Sequence, residues 1–72
     1  MEGYLSMRTS YNVSGYPEYI GYAEPGKLAT EAQWQICKLT YDGSGKVISR
    51  LYVNGDWHFI FIWNLRTSYS YS

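Results

Sequence analysis

His58 is the only histidine of the chain, and Asp56 stands two residues before it. An acid beside an imidazole suits general acid–base catalysis, provided that the two side chains are held within hydrogen-bond reach. His58 lies between Trp57 and Phe59 in a strand-like run, where a separation of two residues does not guarantee that geometry. The sequence therefore favours a structural or surface histidine over a catalytic one.

The other reactive side chains give no stronger signal for catalysis. Cys37 has only Lys38 as a basic neighbour in sequence, which favours a small buried hydrophobe over a nucleophile. The serines lack the Gly-x-Ser-x-Gly turn that presents a nucleophile in many hydrolases. We therefore predict a non-enzymatic protein without catalytic residues.

The segment Asp42-Gly43-Ser44-Gly45 shares an acidic residue and glycines with calcium and phosphate loops. The further acidic ligands and the terminal glutamate of a calcium loop are missing from the sequence that follows, as is the Lys-Ser/Thr pair of a phosphate loop. One histidine and one cysteine cannot supply a four-ligand zinc site. The segment is predicted to be a hairpin turn, and no metal or cofactor is expected.

Charge and hydropathy disfavour two further classes of partner. Six basic and six acidic side chains give a formal net charge of zero, so the broad positive field of a nucleic-acid-binding protein is missing. No apolar run approaches the ~20 residues that a membrane-spanning helix needs. The sequence opens without the basic and apolar regions of a secretory signal. We expect neither a nucleic-acid nor a membrane partner.

Alternating side chains and turn residues predict a mainly β fold. Residues 1–15 are interpreted as an N-terminal arm or loop that lies on a neighbouring surface, and residues 16–72 as a single small β domain. Predicted strands cover residues 16–23, 34–41, 47–53 and 57–63, with turns at 24–26, 42–45 and Asn54-Gly55. The expected architecture is a small antiparallel sheet or meander, sandwich-like or an open barrel, with extended N- and C-terminal segments.

The predicted last strand is apolar on both sides, which a chain of 72 residues cannot easily bury by itself. Aromatic residues make up 19% of the chain and exceed the 17% that are charged, as in the buried centres of protein interfaces. Residues 65–72 are interpreted as an edge strand or extended arm that is available for β-augmentation. The candidate interface residues are Trp57, Phe59, Ile60, Phe61, Ile62, Trp63, Arg66, Tyr69 and Tyr71, and a homo-oligomer is expected.

A different class of function stays open at this point. Trp34, Trp57 and Trp63, together with several tyrosines, could form a platform on which sugar rings or another ligand stack. An ordinary small core uses such residues first, so packing is the favoured interpretation. The alternative is a small carbohydrate- or ligand-binding β module.

One set of segments is spread over roughly the last fifty residues: 21–26, 32–36, 40–45, Asn54-Gly55, Phe59, Trp63-Asn64-Leu65-Arg66, Tyr69 and Tyr71. In their order and spacing these segments resemble a group of short proteins encoded by tailed bacteriophages, often among their particle-structure genes. Where the group tends to carry acidic residues between the tryptophan and the arginine, this chain has Asn64 and Leu65. The first fifteen residues carry no part of the resemblance.

The resemblance implies a structural component of the virion, made in the host cytoplasm, with other virion structural proteins as partners. A position at the neck, tail, baseplate or fibre is expected first, and a capsid-decorating (cement) role is the alternative. Within such a particle Trp63 would be a core or interface anchor. Arg66 would be a polar pin to a carboxylate or a carbonyl.

Overall fold

The structure is a computed structural model that describes residues 5–72. The strands are β1 (Ser6–Tyr11), β2 (Pro17–Ala23), β3 (Ala32–Tyr41), β4 (Val47–Tyr52) and β5 (Phe61–Ile62), and a 3-10 helix covers Trp63–Ser68. Strands β1 to β4 form an antiparallel meander in chain order, and β5 pairs with β3. The mainly β prediction is thus confirmed, and the sheet does not close into a barrel.

Two hairpins of the meander use the same turn. Asn12 and Asp42 each accept two backbone N–H groups on the side-chain Oδ1, from residues two and four positions later. Gly15 and Gly45 then adopt positive φ angles of 84° and 83°, which glycine tolerates without a steric penalty. The hairpin turn predicted at residues 42–45 is confirmed.

The interpretation of residues 1–15 as an arm or loop is wrong for β1. Strand β1 pairs with β2 from Ser6 opposite Ala23 to Tyr11 opposite Pro17. Strand β1 pairs with β2 because the turn between them, Asn12-Val13-Ser14-Gly15, repeats the pattern of the hairpin turn Asp42-Gly43-Ser44-Gly45. Residues 1–4 of the predicted arm lie outside the described residues.

The predicted strand at residues 57–63 is also wrong, because only Phe61–Ile62 is a strand and it pairs with β3 instead of β4. The Asn54-Gly55 turn itself forms, with φ angles of 51° and 70°. Strand β3 is ten residues long and β4 only six, so β4 covers one half of a β3 edge and leaves the other half for β5. Phe61–Ile62 therefore pairs with the part of β3 that β4 leaves free, and not with β4.

The C-terminal segment is neither an edge strand nor a free arm. Residues 63–68 form the 3-10 helix, and Tyr71 then makes an isolated bridge to Val53. Ser72 exchanges two backbone hydrogen bonds with Tyr52, at 3.2 and 2.9 Å. The chain end thus occupies the edge of β4 that the predicted hairpin needed, and it augments its own sheet.

The sheet has two unequal faces. One face, here called the inner face, carries Tyr19, Gly21 and Ala23 of β2, Trp34 and Ile36 of β3, and Val53. All of these residues are buried, and Trp63 packs against them. The core of the protein is therefore a single layer between the inner face and the C-terminal segment.

Candidate functional site

Trp63 closes the core over the inner face of the sheet. Its ring centroid lies 6.1 Å from that of Trp34, and the two residues are only 6% and 1% exposed. Both rings crowd the backbone of Gly21, where an added Cβ would lie 2.5 Å from an atom of Trp63. Trp63 is therefore a core residue of this chain.

Arg66 is held against Trp63 within the 3-10 helix. Residues three apart eclipse each other in that helix, which brings the guanidinium 4.6 Å from the ring centroid of Trp63. Arg66 Nη1 also donates to the Trp63 carbonyl at 3.3 Å. The carbonyl that Arg66 contacts thus belongs to its own chain.

Four more of the predicted interface residues, Phe61, Ile62, Tyr69 and Tyr71, are half-buried within the fold. Phe61 and Tyr69 pack edge to face at 5.4 Å, and the Tyr69 hydroxyl accepts the N–H of Ile62 at 3.0 Å. The Tyr71 hydroxyl donates to the carbonyl of Arg66 at 2.7 Å, and burial raises the pKa of Tyr71. These side chains attach the C-terminal segment to the sheet.

Trp57, Phe59 and Ile60 lie in an exposed loop, residues 57–60, here called the aromatic loop. Their exposed fractions are 61%, 37% and 55%. Gln35 Nε2 donates to the carbonyl of Trp57 at 2.8 Å and fixes the loop to β3. Of the nine predicted interface residues, these three are the exposed ones.

The alternative platform of three indoles is wrong for two of its members. Trp34 and Trp63 are buried, and the indole Nε1 of Trp34 donates to the carbonyl of Leu28 at 2.9 Å. Trp57 alone remains exposed, and His58 stacks on it at 4.4 Å with an interplanar angle of 15°. A ligand that stacks on this protein would therefore meet one indole.

Asp56 and His58 do lie within hydrogen-bond reach. Asp56 Oδ1 accepts the backbone N–H of His58 at 2.8 Å and lies 2.5 Å from its ring Nδ1. The backbone N–H first, and then the ring, lower the pKa of Asp56 because they stabilise its charged form. The side chain of His58 is 60% exposed, so the pair orders the start of the aromatic loop at the surface.

The lowered pKa of Asp56 predicts a pH response of the aromatic loop. A carboxylate with a lowered folded-state pKa contributes stability above its unfolded pKa, and that contribution is lost as the pH falls through the folded value. The carbon shift of the Asp56 side-chain carboxyl, followed by NMR, should change with a midpoint below the ordinary pKa of aspartate. Asp56→Asn should remove this transition, and a midpoint at or above the ordinary value would contradict the hydrogen bonding described.

The opposite face of the sheet, here called the outer face, has no layer over it among residues 5–72. It carries Met7, Thr9 and Tyr11 of β1, Ile20 and Tyr22 of β2, Gln35, Cys37, Leu39 and Tyr41 of β3, and Arg50 and Tyr52 of β4. Only Cys37, a free thiol, is buried there, while Met7 is 58% and Tyr11 62% exposed. The sequence analysis placed the second apolar face on one strand, whereas the structure places it on the whole sheet.

The edge of the sheet that β1 forms is also open in the described part of the chain. Within the described part of the chain, β1 pairs with β2 alone, so its other edge has unpaired backbone groups. The register moves from Ser10 opposite Tyr19 to Tyr11 opposite Pro17, which places the extra residue on β2 and leaves β1 regular. A regular open edge is a surface on which another strand can pair.

Metal ligands, cavities and apolar helices give little indication of a site within residues 5–72. Among residues 5–72, no group of three or more His, Cys, Asp or Glu residues could hold a metal ion. A cavity of about 280 Å³ lies between Leu5, Glu24, Gln33 and Phe59, at the foot of the aromatic loop. None of the helices in the described chain has the length and apolar character that crossing a membrane requires.

Three surfaces of the described chain are therefore available to other molecules in one region: the aromatic loop, the outer face and the open edge of β1. Trp57, Phe59 and Ile60 were among the predicted interface residues, although they were assigned to a strand and not to a loop. The outer face was not predicted, although the apolar residues of β2 and β3 at alternate positions were a usable signal. No family model, curated protein or solved structure matches the chain.

Proposed function

We propose that this protein is a non-enzymatic structural subunit that works by packing against other protein chains. The observation that carries the proposal is the exposure of Trp57, Phe59 and Ile60 beside an outer face that no layer covers among residues 5–72. Large apolar patches of this kind are rare on monomers and mark interaction sites. An exposed tryptophan on an ordered loop is also the residue type that dominates binding energy in interfaces.

The sequence resemblance supports a specific setting, the particle of a tailed bacteriophage. In that setting the chain is present in several copies and its partners are other virion structural proteins. The neck, tail, baseplate or fibre is the proposed position, with decoration of the capsid as the second candidate. Affinity in such an assembly comes from backbone pairing at the open edge and from burial of the aromatic loop.

Mass spectrometry of purified particles, with a cryo-EM map, tests this proposal in its simplest form. Trp57→Ser and Ile60→Lys should reduce incorporation while the isolated variants keep the β-sheet circular dichroism of the parent. Val13→Lys is the matched control, because Val13 is fully exposed at the tip of the first hairpin. If the protein is missing from the particles, or if both loop variants incorporate like the control, the proposal is wrong.

A further inference from the structure

We propose that two copies of this chain pair through their β1 strands about a two-fold axis centred on Thr9. The inference rests on the proposed packing function and names a second copy as the occupant of the open edge. It is carried by the regular edge of β1, which is unpaired among residues 5–72, and by the identity of the residues that self-pairing would place opposite each other.

The two-fold symmetry limits the possible registers. An axis normal to the sheet keeps both outer faces on one side, so each residue meets a partner from the same face of β1. With Thr9 opposite Thr9, Met7 lies opposite Tyr11, and Arg8 lies opposite Ser10. This register places an apolar–aromatic pair on each side of a threonine pair, and both kinds of cross-strand pair are favourable.

The neighbouring register is disfavoured by charge. An axis centred on Arg8 would place the two Arg8 residues directly opposite each other, and like charges at that position destabilise a sheet. An axis on Met7 or Ser10 moves part of β1 past the end of its partner strand and leaves fewer residues paired. Thr9 is thus the centre that combines pairing of residues 7–11 with separated charges.

The other edge of the sheet fits a second copy less well. Ser70 and Ser72 already occupy the end of β4 by bonding to Asn54 and Tyr52. Pairing of β1 with the rest of β4 would be heterologous, and such contacts build open-ended assemblies instead of closed dimers. Self-pairing of β1 gives a closed dimer and joins two outer faces into one continuous surface.

The dimer, and not the single chain, is then the unit that packs against other protein chains. Met7 and Tyr11 are each about three-fifths exposed in the single chain, and they lie at the centre of the joined surface. The partner for the whole outer face would therefore contact both copies. This explains how a small chain can present a wide interface without enlarging its own core.

Disulfide trapping tests the axis directly. Residues directly opposite in an antiparallel pair lie about 4.5–5.5 Å apart between Cα atoms, within disulfide range. Thr9→Cys should therefore form a linked dimer on the order of tenfold faster than Val13→Cys, an exposed cysteine that reports random collision. The parent chain sets the baseline, since its single cysteine, Cys37, is buried.

Arg8→Cys tests the register. In the Thr9-centred dimer the two Arg8 Cα atoms are offset by two residues and lie about 8 Å apart, beyond the reach of a disulfide. Arg8→Cys should thus cross-link no faster than Val13→Cys. Faster linkage through Arg8 than through Thr9, or equal rates for all three cysteines, would overturn the proposed pairing.

A second measurement guards against cysteine artefacts. Thr9→Lys places two ammonium groups together on the axis and should shift the protein from dimer towards monomer in sedimentation velocity, with unchanged circular dichroism. Thr67→Lys, an exposed threonine in the 3-10 helix, should sediment like the parent. If Thr9→Lys also sediments like the parent, β1 is not the dimer contact, whereas the packing function is judged separately by incorporation into particles.

Discussion

Replacement of Trp63 by alanine should lower the free energy of unfolding by about 3–5 kcal/mol, the usual cost of truncating a buried tryptophan. Trp63 is 6% exposed and contacts Trp34, Arg66 and the backbone of Gly21. A domain of 72 residues has a total stability of about 4–11 kcal/mol, so the loss approaches the whole. Urea denaturation followed by far-ultraviolet circular dichroism measures it.

Trp57→Ala is the matched control for that experiment. Trp57 is 61% exposed and its main contact is the stacked ring of His58, so its truncation should change the free energy of unfolding by no more than about 0.5 kcal/mol. The same variant should still be poorly incorporated into particles. Equal losses of stability for the two tryptophans would contradict the separation between core and interaction surface.

Gly21→Ala should destabilise the protein by about 3 kcal/mol, at the upper end of the range for overpacked cores. The added Cβ would lie 2.5 and 2.8 Å from two ring atoms of Trp63 and 3.1 Å from one of Trp34. Real Cβ atoms essentially never approach so closely, and both rings are wedged between the sheet and the C-terminal segment. Relief therefore requires the 3-10 helix to move away from the sheet.

The effect of Gly21→Ala should appear in near-ultraviolet circular dichroism as well as in the denaturation midpoint, because both tryptophan environments change. Gly43→Ala provides the comparison, since a Cβ there meets no atom within 4 Å and its φ angle lies outside the positive range. That variant should unfold like the parent. A harmless Gly21→Ala would mean that Trp63 does not pack where the structure places it.

Local sequence features predicted those parts of the fold that are held by local hydrogen bonds. The turn at Asp42-Gly43-Ser44-Gly45 forms as expected because the side-chain oxygen of Asp42 accepts two backbone N–H groups. The turn at Asn54-Gly55 forms because both residues adopt positive φ angles. Strands β2, β3 and β4 follow from alternation and from the turns that bound them. The equivalent signal in Asn12-Val13-Ser14-Gly15 was present but was not used.

The candidate site was predictable only in part, because alternation does not say which partner a strand will find. Trp57, Phe59, Phe61 and Trp63 alternate in sequence, yet the first two are exposed and Trp63 is buried. Of this segment only Phe61–Ile62 is a strand, since Ser70 and Ser72 take the edge of β4. Competition between distant segments for one edge cannot be read from either segment alone.

The amino-acid sequence by itself determined the β class, the turns and the excess of aromatic surface, because these depend on residue type and on contacts between near neighbours. Only the tertiary structure decided which aromatic rings are buried and which are exposed to solvent. Trp63 is covered because the C-terminal segment folds back over Gly21, and Trp57 is exposed because β5 joins the free half of β3 beyond it. Burial is a property of the whole packed chain, so it follows from the pairing of distant strands and not from the order of residues within one strand.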